Sequence, residues 1–296
     1  MLRRHFVGGG LAALGLAACQ PQANVRPEAT PAALPAKPKL ALALGGGAAR
    51  GFAHIGVIKV LEGNGIQPDI VIGTSAGSVV GALYAAGHNP FELQKLALQL
   101  DESAVTDWSL FDRGFIKGNA LERFINTNVG NKPIEGLKRR FGAVATDFQT
   151  GEPIVFQRGN TGTAVRASAA IPGVFTPVTI NGREYVDGGL VAPIPVREAR
   201  SMGADLVIAV DISSVPSGKK NQGTLDQLLD TISIMGAALG KVELGAASVV
   251  IRPELRGVAA TNFQQRNEAI LEGERAAQAA LPRIRELLAS RERNRT

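Results

Sequence analysis

The first patterned stretch of the chain is Leu40-Ala41-Leu42-Ala43-Leu44, an apolar run of strand length closed by Gly45-Gly46-Gly47. Ile55, Val57, Ile58 and Leu61 follow at helical spacing, which predicts a strand, a glycine turn and a helix. A second unit repeats the plan: Ile70-Val71-Ile72 as strand, Gly73 to Gly77 as a tight turn, and Val79 to Ala86 as a helix capped by Gly87. Helices are also expected over Pro90 to Leu100 and Asn119 to Asn126, with an irregular segment carrying Trp108 between them. The text then turns strand-like at Gly142 to Ala145, at Pro153 to Gln157, and in a hairpin from Pro177 to Val186 that turns at Asn181-Gly182. Leu206 to Val210 and Val249 to Ile251 read as buried strands. Gly223 to Gly240 and Asn262 to Leu288 read as helices, the second broken near Pro282. Continuous apolar strands separated by helices predict an α/β fold with a mostly parallel sheet covered on both faces.

The pattern is absent before residue 40. Met1-Leu2-Arg3-Arg4 is a positive start and Gly8 to Ala18 a weakly apolar run too short to cross a bilayer, so residues 1–18 read as an export signal. Leu16-Ala17-Ala18-Cys19 resembles a bacterial lipobox, which makes Cys19 a lipidation site. Arg3-Arg4-His5-Phe6-Val7 also resembles a twin-arginine signal. Residues 19–39, rich in Pro and Ala, read as a tether to one catalytic domain over 40–296. The expected location is the periplasmic side of a bacterial membrane, and Gln20 after the cysteine favours the outer one.

Composition narrows the function classes. The formal charge of +6 is scattered and aromatics total 5%, so no basic, aromatic-studded run suits nucleic acid. One cysteine excludes a disulfide framework and any multi-cysteine metal site.

Gly73-Thr74-Ser75-Ala76-Gly77 matches the G-x-S-x-G nucleophile elbow between a strand and a helix. Gly73 and Gly77 flank Ser75 because side chains there would clash, and the helix behind points its N–H groups at a developing oxyanion. Gly45-Gly46-Gly47-Ala48-Ala49-Arg50-Gly51 alone would suit a nucleotide phosphate, but the acidic residue a dinucleotide site needs on the next strand is replaced by the Ser75 elbow. Two adjacent turns, one rich in glycine and one presenting serine, fit an oxyanion hole beside a nucleophile better.

A histidine base is hard to find. His5 leaves with the signal, and His88 stands thirteen residues beyond Ser75, roughly 20 Å along the same helix. His54, in the first turn of its helix, suits packing or a backbone hydrogen bond. A carboxylate lifted toward neutrality by a water-poor pocket is the remaining choice. Asp69 falls on the wrong sheet edge, while Asp147, Asp211 and Asp187 stay open, the last in Tyr185-Val186-Asp187-Gly188-Gly189.

Taken together, the glycine loop with Arg50-Gly51, the Ser75 elbow, Ala145-Thr146-Asp147, Arg166-Ala167-Ser168-Ala169-Ala170-Ile171-Pro172-Gly173 and Asp187-Gly188-Gly189 resemble the patatin-like phospholipases, over about Leu40 to Pro282. The resemblance implies a three-layer α/β/α fold and a serine acyl hydrolase with a Ser75–Asp187 dyad. It implies an oxyanion hole from the N–H groups of Gly47, Ala48 and Ala76, with Gly46, Arg50 and Gly51 supporting the loop. It implies phospholipid or other acyl-ester substrates and calls for no metal or cofactor. One departure stands out: the family's third loop glycine falls on Ala48. Residues Phe91 to Phe115, with Leu96, Leu98, Trp108, Leu110 and Phe111, suit an acyl pocket or lid and equally a core. The rival classes are a non-catalytic lipid-binding lipoprotein of the same fold and a nucleotide-binding α/β protein.

Overall fold

The computed structural model describes residues 38–99, 118–213, 224–259 and 262–293. The expected signal (1–18), Cys19, all but the end of the tether, and Trp108, Leu110 and Phe111 lie outside the described residues.

The described residues form a sheet of eight strands. β1 (Leu40–Leu44) lies inside it, with β2 (Ile70–Thr74) parallel on one side and β7 (Leu206–Val210) parallel on the other. Beyond β7 runs β8 (Val249–Ile251), also parallel, and beyond β2 runs β3 (Arg140–Asp147). The antiparallel part comprises β4 (Pro153–Phe156) and the hairpin of β5 (Val178–Ile180) and β6 (Arg183–Asp187). Asn181 (φ 52°) and Gly182 (φ 78°) turn that hairpin, both in the left-handed region that such a two-residue turn demands.

Alternation within β1 divides the interior. Leu40, Leu42 and Leu44 join one apolar cluster with Ile58 and Leu61 of α1 (Ala53–Gly63), Leu83 of α2 (Ala76–Ala86), Leu93 of α3 (Pro90–Gln99) and Ile270 and Ile284 of the C-terminal helix. Ala41 and Ala43 join the opposite cluster, with Ile70, Ile72, Val196, Ala199 and Met202. The sheet is therefore covered by helices on both faces, the large leucines on one side and the small alanines on the other, as expected for period-2 side chains. A third cluster, including Ala145, Ala167, Phe175 and Tyr185, lies under the β5–β6 hairpin.

In chain order the remaining helices are α4 (Asn119–Asn128), α5 (Thr161–Ser168), α6 (Val196–Ser201), α7 (Thr224–Leu244) and α8 (Arg266–Arg293). Two departures from the sequence reading have clear causes. The break expected near Pro282 is absent, because α8 runs through it: Pro282 faces water, where the carbonyl left unbonded by its missing N–H can be solvated, while buried Leu281 and Ile284 hold the helix to the core. The short helices α5 and α6 carry too little apolar period to be read, and α5 is set by its cap, the Asn160 side chain accepting from Thr163 N–H at 2.8 Å.

Candidate active site

β1 has its parallel neighbours on opposite sides, so the crevice at the carboxyl ends of β1, β2 and β7 is the place where an open α/β sheet binds ligands. β2 ends there in a sharp turn. Ser75 sits at φ 51°, ψ −121°, a strained conformation for a residue with a Cβ, and α2 begins at the next residue. Close packing explains the flanking glycines: a methyl on Gly73 would stand 2.3 Å from Gly77 C, and one on Gly77 would stand 2.1 Å from Leu44 O. Behind the turn, Ser168 of α5 links the elbow to β3. Its Oγ accepts from Ser75 N–H at 2.9 Å and donates to Val144 O at 2.6 Å.

The glycine loop lies against this elbow. Gly45 and Gly46 donate their N–H groups to Val210 O and Pro193 O at 3.1 and 2.9 Å. A methyl on Gly46 would stand 3.3 Å from Ser75 Cβ, and one on Gly51 2.7 Å from Ala76 Cβ. Ala48, at φ 49°, opens the 3-10 turn Ala48–Phe52 and occupies a left-handed conformation that glycine would take without strain. Buried Arg50 donates to Ile212 O at 3.5 Å, which ties the loop to the chain just beyond β7. His54 is fully buried and its Nε2–H donates to Gly45 O at 2.8 Å; burial drops its pKa to about 4 against the opposing pull of that carbonyl, so the ring stays neutral. His88 meets Asn128 O instead, at 2.7 Å.

The register of β3 brings in the carboxylate. β2 pairs along one edge of β3 as far as Thr74, opposite Val144. β4 occupies the other edge, so the next β3 residue, Ala145, meets β6 on the edge that β2 has vacated, and its partner there is Asp187. Thr146 Oγ1 donates to Asp187 O at 2.8 Å, and Asp187 N–H donates to Ala170 O at 2.9 Å. The Asp187 side chain is buried; Oδ1 accepts from Gly189 N–H at 2.7 Å and Oδ2 makes no hydrogen bond. Burial pushes its pKa up to about 6, with the Ser75 hydroxyl and the Gly189 N–H holding it from going higher.

The other candidate acids are spent on structure. Asp69 stands before β2 and accepts from Leu40 N–H at 2.8 Å. Asp147 pairs with Arg183 at 2.6 Å and accepts from the N–H groups of Gln149 and Thr150. Asp211 pairs with Arg252 at 2.7 Å.

A cavity of about 100 Å³ opens at this point, and Gly46, Gly47, Ala48, Arg50, Ser75 and Asp187 all line it. Ile171, Pro172, Leu190, Pro193 and Ile232 make the rest of the wall largely apolar. Of the residues suggested for a lid, Leu96 packs on the core while Phe91 and Leu98 are exposed. Ser168 is the contributor that residue-level reasoning gave no role. The only sequence sign of it is its place in Arg166-Ala167-Ser168-Ala169-Ala170, and α5 had no period by which to be found.

Comparisons with known proteins give the family and the fold. The family model described as "Patatin-like phospholipase" matches residues 42–200. An uncharacterised NTE family protein of Mycobacterium tuberculosis is 39% identical over 184 residues, 61% of this chain and 51% of that protein. A protein named lysophospholipase NTE1 from Meyerozyma guilliermondii is 33% identical over 180 residues, 59% of this chain and 12% of its own length. The crystal structure of VipD from Legionella pneumophila covers 86% of this chain and 67% of that one, with a TM-score of 0.59 at 15% identity, a likeness of fold. The chain thus spans about half the length of the mycobacterial relative it matches.

Proposed function

Because the chain belongs to the patatin-like phospholipase family, we propose that it is a lipid acyl-ester hydrolase working through a Ser75–Asp187 dyad and an acyl-enzyme. The observation that carries the reading is that these two side chains line one cavity with apolar walls, and that the buried Asp187 carboxyl keeps one oxygen, Oδ2, without a hydrogen-bond partner.

Ser75 Oγ attacks the ester carbonyl and its proton passes to Asp187. A carboxylate raised to about 6 is a better proton acceptor than an ordinary one and is still ionised at neutral pH. The carbonyl oxygen, now negative, is received by the N–H groups of Gly47, Ala48 and Ala76. Gly47 and Ala48 begin the 3-10 turn and Ala76 begins α2, positions where helical N–H groups have no partner within their own helix. Collapse of the tetrahedral intermediate releases the alcohol, protonated by Asp187, and leaves the acyl group on Ser75. Water, deprotonated by Asp187, then attacks the ester and frees the acid. Gly46, Arg50 and Gly51 hold the loop in place, and Ser168 holds the elbow by its backbone.

Substrates are acyl esters of phospholipids or lysophospholipids. The fungal relative named as a lysophospholipase and the apolar wall of the cavity both support that class. A fluorophosphonate probe tests the nucleophile: wild-type protein is labelled and Ser75→Ala is not, and labelling that persists in Ser75→Ala overturns the assignment. Export and anchoring through Cys19 belong to the same proposal, motivated by Leu16-Ala17-Ala18-Cys19. Cys19→Ser abolishes palmitate incorporation and moves the protein from the membrane to the soluble fraction; unchanged fractionation and labelling rule the anchor out.

A further inference from the structure

From Thr231 to Leu244, α7 carries an apolar outer face as well as an inner one. Its inward side brings two glycines close to the body beside Ile232 and buried Glu243: a methyl on Gly236 would stand 3.7 Å from Pro193 Cβ, and one on Gly240 would stand 3.2 Å from Ile194 Cδ1. Four large aliphatic residues are exposed, Ile234 54%, Met235 50%, Leu239 38% and Val242 62%. Met235, Leu239 and Val242 follow the i, i+4, i+7 spacing of one helical stripe, with Ile234 beside it. From Thr231 to Leu244 the only ionisable residues are Lys241, exposed, and Glu243, buried. A helix on the surface of a globular domain normally shows a different arrangement, with aliphatic residues in and charges out.

The same helix forms part of the cavity wall through Ile232, Ser233 and Gly236. That cavity, about 100 Å³, is well below the roughly 300–1,000 Å³ that encloses a drug-sized ligand. It has room for the ester and a few carbons, so a long acyl chain bound there must extend beyond it, next to α7. We propose that the outer face of α7 seats on a lipid bilayer, so that the substrate enters the cavity while the rest of its acyl chains stay in the apolar phase. This rests on the acyl-ester hydrolase reading. A bilayer is favoured over a second copy of the chain because four partly exposed side chains fall far short of the about 800 Å² per partner of a stable dimer. Lys241, exposed one heptad beyond Ile234 on the same outer side of the helix, suits anionic headgroups.

The test uses the full chain with Cys19→Ser, so that no acyl anchor contributes, and vesicles of phosphatidylethanolamine and phosphatidylglycerol. With Ser75→Ala added, flotation reads binding without turnover. Leu239→Glu/Val242→Glu lowers the vesicle-bound fraction at least tenfold. In the Ser75 protein the same pair lowers hydrolysis of vesicle phospholipid in step, while turnover of a soluble butyrate ester stays within twofold. Leu239→Gln/Val242→Thr carries the test if the charged pair does not fold. Unchanged vesicle binding overturns the proposal. So does an equal loss of soluble-ester turnover in the milder pair, which makes the face part of the cavity's support, or a fall in sedimenting mass without vesicle binding, which assigns the face to a second copy. Vesicle binding by a protein that cleaves no ester leaves the docking face standing and removes the hydrolase reading; ester cleavage without α7-dependent binding does the reverse.

Discussion

Asp147 and Asp187 end neighbouring strands of one antiparallel ladder, two residues apart in register, and both are buried. Their surroundings drive them in opposite directions. Burial alone would lift the Asp147 carboxyl, but the N–H groups of Thr150 and Gln149 and the Arg183 guanidinium outweigh it and hold the group below the usual carboxylate range. Asp187 meets one N–H and a hydroxyl with no cation, and burial prevails. Of the two, only Asp187 lines the cavity. What their lone pairs find around them decides which one becomes a salt-bridged anchor and which one a proton acceptor.

Substitution draws the contrast most sharply. Asp187→Asn lowers kcat/KM for a phospholipid or butyrate ester by about 10⁴, the scale on which members of a nucleophile–base pair fail. Asp147→Asn leaves turnover within a few-fold and lowers the melting temperature. Comparable losses in the two variants would mean that the acids share the work.

The pH profile gives the next largest effect. Asp187 accepts a proton only when ionised, so kcat/KM falls about tenfold per unit below pH 6, and the value at pH 4 is about a hundredth of that at pH 8. A profile flat from pH 8 to 4 removes Asp187 as the base.

Stability supplies an effect of similar size, and it runs against activity. Asp187 is raised from 3.8 to about 6 in the folded protein, so between those values the folded state holds more protons than the unfolded one. The neutral acid is fully compatible with the fold below pH 4, and stability falls as pH rises toward 6, by about 3 kcal/mol for a shift of this size. Asp187→Asn removes that slope: urea melts show it more stable than wild type at pH 8 and indistinguishable at pH 3. A variant no more stable at pH 8 contradicts the burial-driven shift.

Much of this site could be read from the sequence because its parts are local. Leu40 to Gly63 and Ile70 to Ala86 each encode strand, turn and helix in one continuous stretch, and the Ser75 elbow and glycine loop fall inside those units. Asp187 needed more. Residue by residue it stood level with Asp147 and Asp211 until the motif set favoured it, because Arg183 and Arg252, which occupy its rivals, reach them through side-chain geometry that leaves no pattern in the chain. Ser168 was hidden for a related reason: its two hydrogen bonds link α5 to β2 and β3, 93 and 24 residues away. The exposed stripe of α7 escaped because a row of aliphatic residues has the same period whether it faces the core or away from it.

The replacement of β2 by β6 along a single edge of β3 also limits how this catalyst can vary. Acid and nucleophile are carried by two strands that share one backbone rail, so their separation changes in peptide-length steps and cannot drift gradually. A slip of one residue turns Asp187 to the opposite side of the sheet. Lengthening the Asn181-Gly182 tip leaves that alignment untouched, which makes the tip a natural point for grafting new recognition loops and the rail itself the part of the molecule that tolerates no resizing.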